Sequence, residues 1–231
     1  MRDRMRSFII LMLVVLTLML IFIQREREAK EMARNSATQV IKLSAPKKRG
    51  DISLEEAILK RRSKREFKTA PLSKEQISQL LWAAQGITDP AGFLRASPSA
   101  GALYPLEIYI VYSEGVYYYR PNGHILERIS TDDVRLALCE AALGQEFIAS
   151  APLDIIITAV YERTTGKYGD RGIRYVHMEA GHCAQNIHLQ AVALGLGSVP
   201  IGAFSDKDVS RVLTLPAECK PLYIIPVGYP Q

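Results

Sequence analysis

Cysteine is scarce and badly spaced for a framework: the 231-residue chain has three, Cys139, Cys183 and Cys219, with no CxxC pair among them. An odd, scattered set excludes a disulfide scaffold and a thiolate metal cluster, and leaves free, buried thiols as the expectation. Histidine is no better placed. His177, His182 and His188 stand five and six residues apart, which denies them the i, i+4 helix face of a zinc-protease pair, so they read as packing or hydrogen-bonding residues and no metal is expected. The glycine fingerprints of nucleotide binding are missing too. Gly195 and Gly197 are followed by Pro200 where a dinucleotide motif needs its third glycine. Gly197 and Gly202 have phosphate-loop separation, but Ala203 and Phe204 stand in place of Lys and Ser or Thr. No internal repeat or low-complexity segment is present.

A basic surface on the folded part is also lacking. The net charge is +5, but residues 1–50 carry 11 Lys or Arg against 4 Asp or Glu, and the remainder carries 18 against 20. Basicity confined to one end implies attraction to anionic lipid headgroups, not a nucleic-acid footprint. That end does contain a long hydrophobic run. Ser7 to Ile23 holds no charge and would span roughly 26 Å as a helix, close to a hydrocarbon core. A signal peptide competes, because Arg2, Arg4 and Arg6 precede the run, but Gln24-Arg25-Glu26-Arg27-Glu28 offers no small-x-small cleavage site. Residues 1–24 therefore read as a single-pass membrane anchor, 25–50 as a basic juxtamembrane linker and 51–231 as one folded domain. Five basic residues after the run against three before it place that domain on the cytoplasmic side.

Within the domain, Ser53 with Glu56 and Ser73 with Gln76 are capping boxes that open two helices, the first running to Arg61 and the second ending before Gly86. Leu106–Tyr112, Val116–Tyr119 and His124–Ile129, separated by Gly-containing turns, predict an antiparallel meander. A helix over Thr131–Leu143, a buried strand Leu153–Val160 and a long helix Gly172–Leu194 follow. Strands at Val199–Phe204 and Leu222–Val227 flank a helix capped by Ser205 with Asp208. The class is α+β: a central, mainly antiparallel sheet flanked by helices.

Two segments carry chemistry. Arg61-Arg62-Ser63-Lys64-Arg65 concentrates guanidinium groups and a hydroxyl at a helix end, which suits a phosphate monoester because arginine offers a planar fork of donors and stays charged. Residues 195–204 form a turn punctuated by Gly and Pro, with little side-chain bulk, where backbone N–H groups can approach a flat ligand. Together they point to a phosphorylated aromatic cofactor.

In the motifs "RRSKREF" (61–67), "SPSAGALYPLEIY" (97–109), "ALGQEFIASAP" (142–152), "AVYERTTGKYGDRGIRY" (159–175), "AGHCAQNIHLQAVALGLGSVPIGAF" (180–204) and the closing "PVGYP", the chain resembles the nitroreductase-like FMN oxidoreductase superfamily. Within it, the resemblance is to the azoline-dehydrogenase-like (SagB/ThcOx) branch. It implies FMN at a homodimer interface, with Arg61, Arg62, Ser63 and Arg65 on the phosphate and ribityl chain. It also implies Pro98, Ser99, Ala100 and Gly101 against the isoalloxazine ring from the other subunit, and a loop Pro200, Ile201, Gly202 and Ala203 whose amides at 202 and 203 face flavin N5 and O4. Such donors stabilise the charge that builds up on reduction. Gln145 is placed at the flavin edge, or else as a buried, satisfied amide. Lys167-Tyr168, read as lying in a loop between Gly166 and Gly169, matches a pair implicated in proton handling. Ala102 departs from the Asn common at its position, and no basic residue follows the last strand. The implied activity is hydride transfer through N5 to or from a small-molecule or peptide substrate, with a nicotinamide electron donor. The other class compatible with these motifs is a membrane-tethered binding or scaffold protein on the same fold, which flavin colour would separate from the enzyme.

Overall fold

The computed structural model describes residues 39–231, together with Met19. Apart from Met19, the apolar run read as an anchor lies outside the described residues, as does most of the basic stretch after it. Among the described residues no helix is long and apolar enough to cross a membrane. The elements in chain order are β1 (Val40–Lys42), α1 (Leu54–Lys60), α2 (Lys74–Gln85), β2 (Leu106–Tyr112), β3 (Gly115–Arg120), β4 (Ile125–Ser130), α3 (Arg135–Ala141), α4 (Glu146–Ser150), β5 (Leu153–Val160), α5 (Glu162–Tyr168), α6 (Arg171–Ala193), β6 (Gly197–Ser198), α7 (Asp206–Val212) and β7 (Cys219–Gly228).

The strands form one antiparallel sheet in the order β1-β4-β3-β2-β5-β7-β6. β5 lies between β2 and β7 and shows why the molecule has three layers. Its side chains alternate with the pleat, so Ile155 and Ile157 join Leu80, Leu81, Val176 and Ile187 beneath α2 and α6. Ile156 points the other way, to Leu138, Ile148 and Val209 beneath α3, α4 and α7. A strand buried on both faces has no polar side to show, hence its nearly unbroken apolar sequence.

Local signals place most elements as expected. Ser73 caps α2 with the full reciprocal box, accepting from the Gln76 amide while the Gln76 side chain accepts from the Ser73 amide. At α1 only half the box forms. Ser53 accepts from the Glu56 amide, but the Glu56 carboxylate is drawn forward to Lys60, 2.6 Å away, the i, i+4 partner that competes for it.

Three expectations differ from the structure. Val199–Phe204 is not a strand. Only Gly197–Ser198 pairs with β7, a single bridge joins Ile201 to Ile224, and the chain then leaves the sheet. Lys167 and Tyr168 lie in a helix, α5, that ends at Gly169 with φ +56, a conformation glycine adopts without strain. Val40–Lys42, inside the segment read as linker, is the sheet's edge strand. Leu43 follows it into the core, its amide donating to the His124 carbonyl at 3.1 Å. Beyond it the Gln79 amide grips the Lys47 backbone from both sides, at 2.8 and 3.1 Å.

The edge strand is therefore expected to matter for stability. A chain beginning at Gln39 should melt cooperatively. One beginning at Lys48 forfeits the burial of Leu43, about 2 kcal/mol, and should melt roughly 4–8 °C lower. Equal melting temperatures by circular dichroism would show that the strand is dispensable.

Candidate functional site

α1 stops at Arg61, whose backbone turns out of the helix (φ −56, ψ 120). The chain then runs extended along the end of the sheet. Ser63 bridges Ser198 in parallel, the Lys64 amide donates to the Ser198 carbonyl at 3.0 Å, and the Lys68 amide donates to the Tyr229 carbonyl at 2.9 Å. Phe67, 3% exposed, nails the segment down. Arg61, Arg62, Ser63 and Arg65 thus project from a backbone that cannot drift. Arg62 folds back, donating to the carbonyls of Leu59 and Arg61, and Arg65 lies 5.9 Å over the Phe147 ring of α4. Among the described residues none of the three arginines forms an ion pair with a carboxylate, so their positive charge is left uncompensated.

Under this segment lies His188 of α6, which sequence reading treated only as a packing or hydrogen-bonding residue. Its Nδ1 is 2.7 Å from Ser198 Oγ. Its Nε2 is buried with no partner among the described residues. Burial, with repulsion from Arg61, pushes its pKa down to about 4, so the imidazole is neutral near pH 7.

The loop Pro200–Ala203 comes alongside because β6 precedes it and the bridge at Ile201 follows, with reciprocal bonds to Ile224 of 2.8 and 3.0 Å. Gln145 Nε2 donates to the carbonyls of Ala142 and Ala203 at 2.8 and 3.0 Å. Its amide is committed to fixing the loop. The amides of Gly202 and Ala203 are exposed and make no hydrogen bond among the described residues. The arginine segment therefore runs beside β6, which leads into the loop, and Gln145 braces the loop from α4.

Pro98, Ser99, Ala100 and Gly101 belong to a second cluster. Their loop winds left-handed at Gly101 (φ +63), Ala102 (+53) and Tyr104 (+47), which costs an alanine or tyrosine about 1 kcal/mol. Ala102 thus sits in a conformation that an asparagine enters more easily, a reason for Asn to be common there. Hydrogen bonds hold the strain: the Tyr104 amide donates to Ser99 Oγ at 2.9 Å, and Asn186 Nδ2 donates to the Ala96 carbonyl and Ser97 Oγ, both at 3.2 Å. Against Gly101 rest Lys167 and Tyr168. A Cβ there would stand 2.8 Å from the Tyr168 hydroxyl and 3.1 Å from Lys167 Nζ. The Tyr168 ring packs edge-on against Tyr175 at 5.2 Å.

Sequence reading did not single out the groups beneath this loop. Glu179 of α6 is 3% exposed. Burial raises its pKa to about 7, opposed by hydrogen bonds from Ser99 and Gln85 and by the charge of Arg95. A glutamate in the middle of a long apolar helical pattern was the available signal.

Glu179 and His188 are nine residues apart on α6, which puts them about 13 Å apart along the axis and on opposite flanks of the helix. A cavity of about 480 Å³ opens elsewhere, between residues 47–54, α2 and α6, and none of Arg61–Arg65, Gln145 or Pro200–Ala203 lines it.

A neutral buried histidine makes a signed prediction. An unfolded histidine titrates near 6.5 and His188 near 4, so its contribution to stability is present above pH 6.5 and is lost as pH falls through that window. His188→Gln, which can still bond Ser198, should reduce the loss of stability between pH 6.5 and 4. Denaturant midpoints measured across this range check it, and an unchanged slope would contradict it.

The nitroreductase family model matches residues 58–229. A nitroreductase-family protein of Methanocaldococcus jannaschii is 50% identical over 184 residues, 77% of this chain and 91% of that one. The microcin B17-processing protein McbC of Escherichia coli is 30% identical over 155 residues, 62% of this chain and 57% of McbC. Among solved structures, a nitroreductase-family protein of Ralstonia eutropha superposes with a TM-score of 0.76 at 29% identity, covering 83% of this chain and 90% of that one. With its fold and its motifs in agreement, the chain belongs to the nitroreductase family, on the SagB/ThcOx-like side of it that the McbC match supports.

Proposed function

We propose that the protein is an FMN-dependent oxidoreductase that works as a homodimer. The observation that carries this reading is the first cluster: arginines without carboxylate partners on a pinned segment, beside a loop with two unpartnered amides and above the unpartnered Nε2 of His188. These residues fit a phosphorylated flavin. Arg61, Ser63 and Arg65 would hold the phosphate and ribityl chain, and the amides of Gly202 and Ala203 would face the electron-accepting edge of the ring. Gly202 lies outside the left-handed region and a Cβ there meets nothing within 4 Å, so the chain leaves open space at that amide.

When bound, FMN supplies two-electron redox chemistry that no side chain provides. The protein's part is to orient and to handle protons. Tyr168 and Lys167 meet at Gly101, where a phenol and an ammonium can hold or deliver the proton that accompanies hydride transfer. Because the two clusters lie on opposite flanks of α6, the second cluster of one subunit would complete the site of its partner. The outward face of α6 favours such pairing. Met178, Gly181, His182 and Gln185 are exposed there, with Met178 at 52%, and Leu54, Ile58 and Leu59 of α1 add apolar surface without cover in the single chain.

Similarity to McbC, a microcin-processing protein, favours a peptide substrate, with a nicotinamide donor or an oxidised acceptor closing the redox cycle. The run Ser7–Ile23 supports anchoring of this domain at the cytoplasmic face of a membrane.

Replacing Arg61 and Arg65 together by Ala should leave the fold intact and release FMN. Each charge-assisted bond contributes about 1.5–3 kcal/mol, so the dissociation constant should rise at least a hundredfold, and the stabilisation that flavin confers on melting should vanish. Flavin absorbance of the purified protein is the measurement. Wild-type protein that stays colourless with added FMN, or a double variant that binds it normally, would overturn the assignment.

A further inference from the structure

Tyr104 is the last residue of the strained loop in the left-handed region, at φ +47, and three different groups hold it. Its amide donates to Ser99 Oγ at 2.9 Å. Its ring lies under the Arg95 guanidinium, 4.4 Å from the centroid. Its carbonyl accepts from Arg163 Nη1 at 3.1 Å, the one hydrogen bond that this oxygen makes among the described residues. Arg163 belongs to α5 and uses its other arm on β2, where Nη2 donates to Glu107 Oε1 and pairs with its charge. The second oxygen of that carboxylate accepts from the Tyr118 hydroxyl of β3. One guanidinium fork thus joins α5, the end of the loop and the sheet, by the charge-assisted bonds that arginine geometry favours.

This joint matters because α5 has little hold of its own. It is seven residues long with no side-chain cap at its start, and a helix that short is marginal without outside contacts. Its backbone at Thr165 comes close to Gly172 of α6, where a Cβ would stand 2.8 Å away, and Arg163 supplies a tie to the sheet. Lys167 follows Arg163 by four residues, one helical turn, on the same face. With Tyr168 it rests on Gly101, where a Cβ would stand 3.1 Å from Lys167 Nζ and 2.8 Å from the Tyr168 hydroxyl. α5 therefore meets the loop at two points, Tyr104 through Arg163 and Gly101 through the Lys167–Tyr168 pair.

We propose that Arg163 is a positioning residue for the flavin reaction: by clamping the Tyr104 carbonyl and Glu107 together it fixes α5 against the loop, so that Lys167 and Tyr168 are presented at Gly101 in one geometry. The proposal rests on the oxidoreductase reading above. The role needs the planar fork and not merely a positive charge. A lysine would keep the charge that Glu107 pairs with, but its compact ammonium lacks the fixed pair of donors that reaches both acceptors at once. The Tyr104 carbonyl would then pass to water, and the left-handed stretch would lose a bond that offsets its strain.

Arg163→Lys and Arg163→Ala in the full-length protein test this. The side chain is 42% exposed, so its truncation opens no buried cavity. In the FMN-loaded variants, kcat for reduction of a quinone by a nicotinamide donor should fall about ten- to a hundredfold, the scale of a small misplacement at a reacting centre, while KM and FMN affinity stay near wild type. A second readout needs neither flavin nor turnover. The amides of Ala102, Leu103 and Tyr104 are all hydrogen-bonded within the loop, and their hydrogen exchange should quicken about tenfold in both variants, as the loss of a charge-assisted bond implies. Exchange in β5 should not change. An Arg163→Lys enzyme with wild-type kcat, a fall in kcat with no change at these three amides, or exchange that quickens in β5 as well would overturn the proposal. Should Arg163→Ala fail to fold, Arg163→Lys, which keeps the ion pair, decides. A wild-type protein that binds no FMN would sink the oxidoreductase reading instead, and exchange at the three amides would then decide the clamp by itself.

Discussion

The placement of two buried polar groups on one long helix constrains everything else about the site. Glu179 and His188 flank the buried half of α6 from opposite sides: His188 bonds Ser198 at the β6 end, and Glu179 meets Gln85 of α2. Neither group can be moved to the other flank without turning the helix, and the helix is fixed by Val176, Ala180, Ala184, Ile187 and Ala191 against the sheet. The arginine segment beside His188 and the Lys167–Tyr168 pair at Gly101 therefore belong to opposite flanks of α6 in one chain. In the proposed dimer that separation becomes the means of building one site from two chains.

The charges around these anchors follow the same division of labour. Next to His188 the dominant neighbour is Arg61, and repulsion adds to burial in keeping the imidazole neutral. At Glu179 burial pushes the carboxyl up to about 7, opposed first by Ser99 and Gln85 and then by the charge of Arg95.

Much of the fold was legible in the sequence because its signals are local. Ser73 with Gln76 and Ser205 with Asp208 mark helix starts within four residues, and both caps are formed. The bounds of β5 follow from an apolar run ending at Tyr161. What was illegible depends on distant partners. Val199–Phe204 has strand-like composition, but the ladder with β7 ends at Ser198 and leaves it a single bridge at Ile201. Val40–Lys42 is too short to announce itself, and becomes a strand only because β4 exposes an edge some 85 residues later. α5 lacks an apolar stripe, and Gly166 disguised it as a loop. In the site, the arginine segment and the Gly/Pro turn were readable from donor chemistry alone. Gln145, read as a flavin-edge residue or a buried, satisfied amide, is half-buried and donates to the carbonyls of Ala142 and Ala203. His188 and Glu179 meet side chains of distant elements, Ser198 and Gln85, that no spacing encodes.

The composite site can be tested by building a dimer from two different defective chains. One carries Arg61→Ala and Arg65→Ala, the other Lys167→Ala and Tyr168→Phe, each with its own affinity tag so that the heterodimer can be isolated. In the proposed arrangement both homodimers are inactive, while the heterodimer assembles one intact site from the undamaged cluster of each chain and should regain about half the wild-type rate of reduction of a quinone or nitroaromatic acceptor by a nicotinamide donor. A heterodimer as inactive as its parents, formed from chains whose wild-type dimer is active, would place both clusters in the service of one subunit and contradict the account.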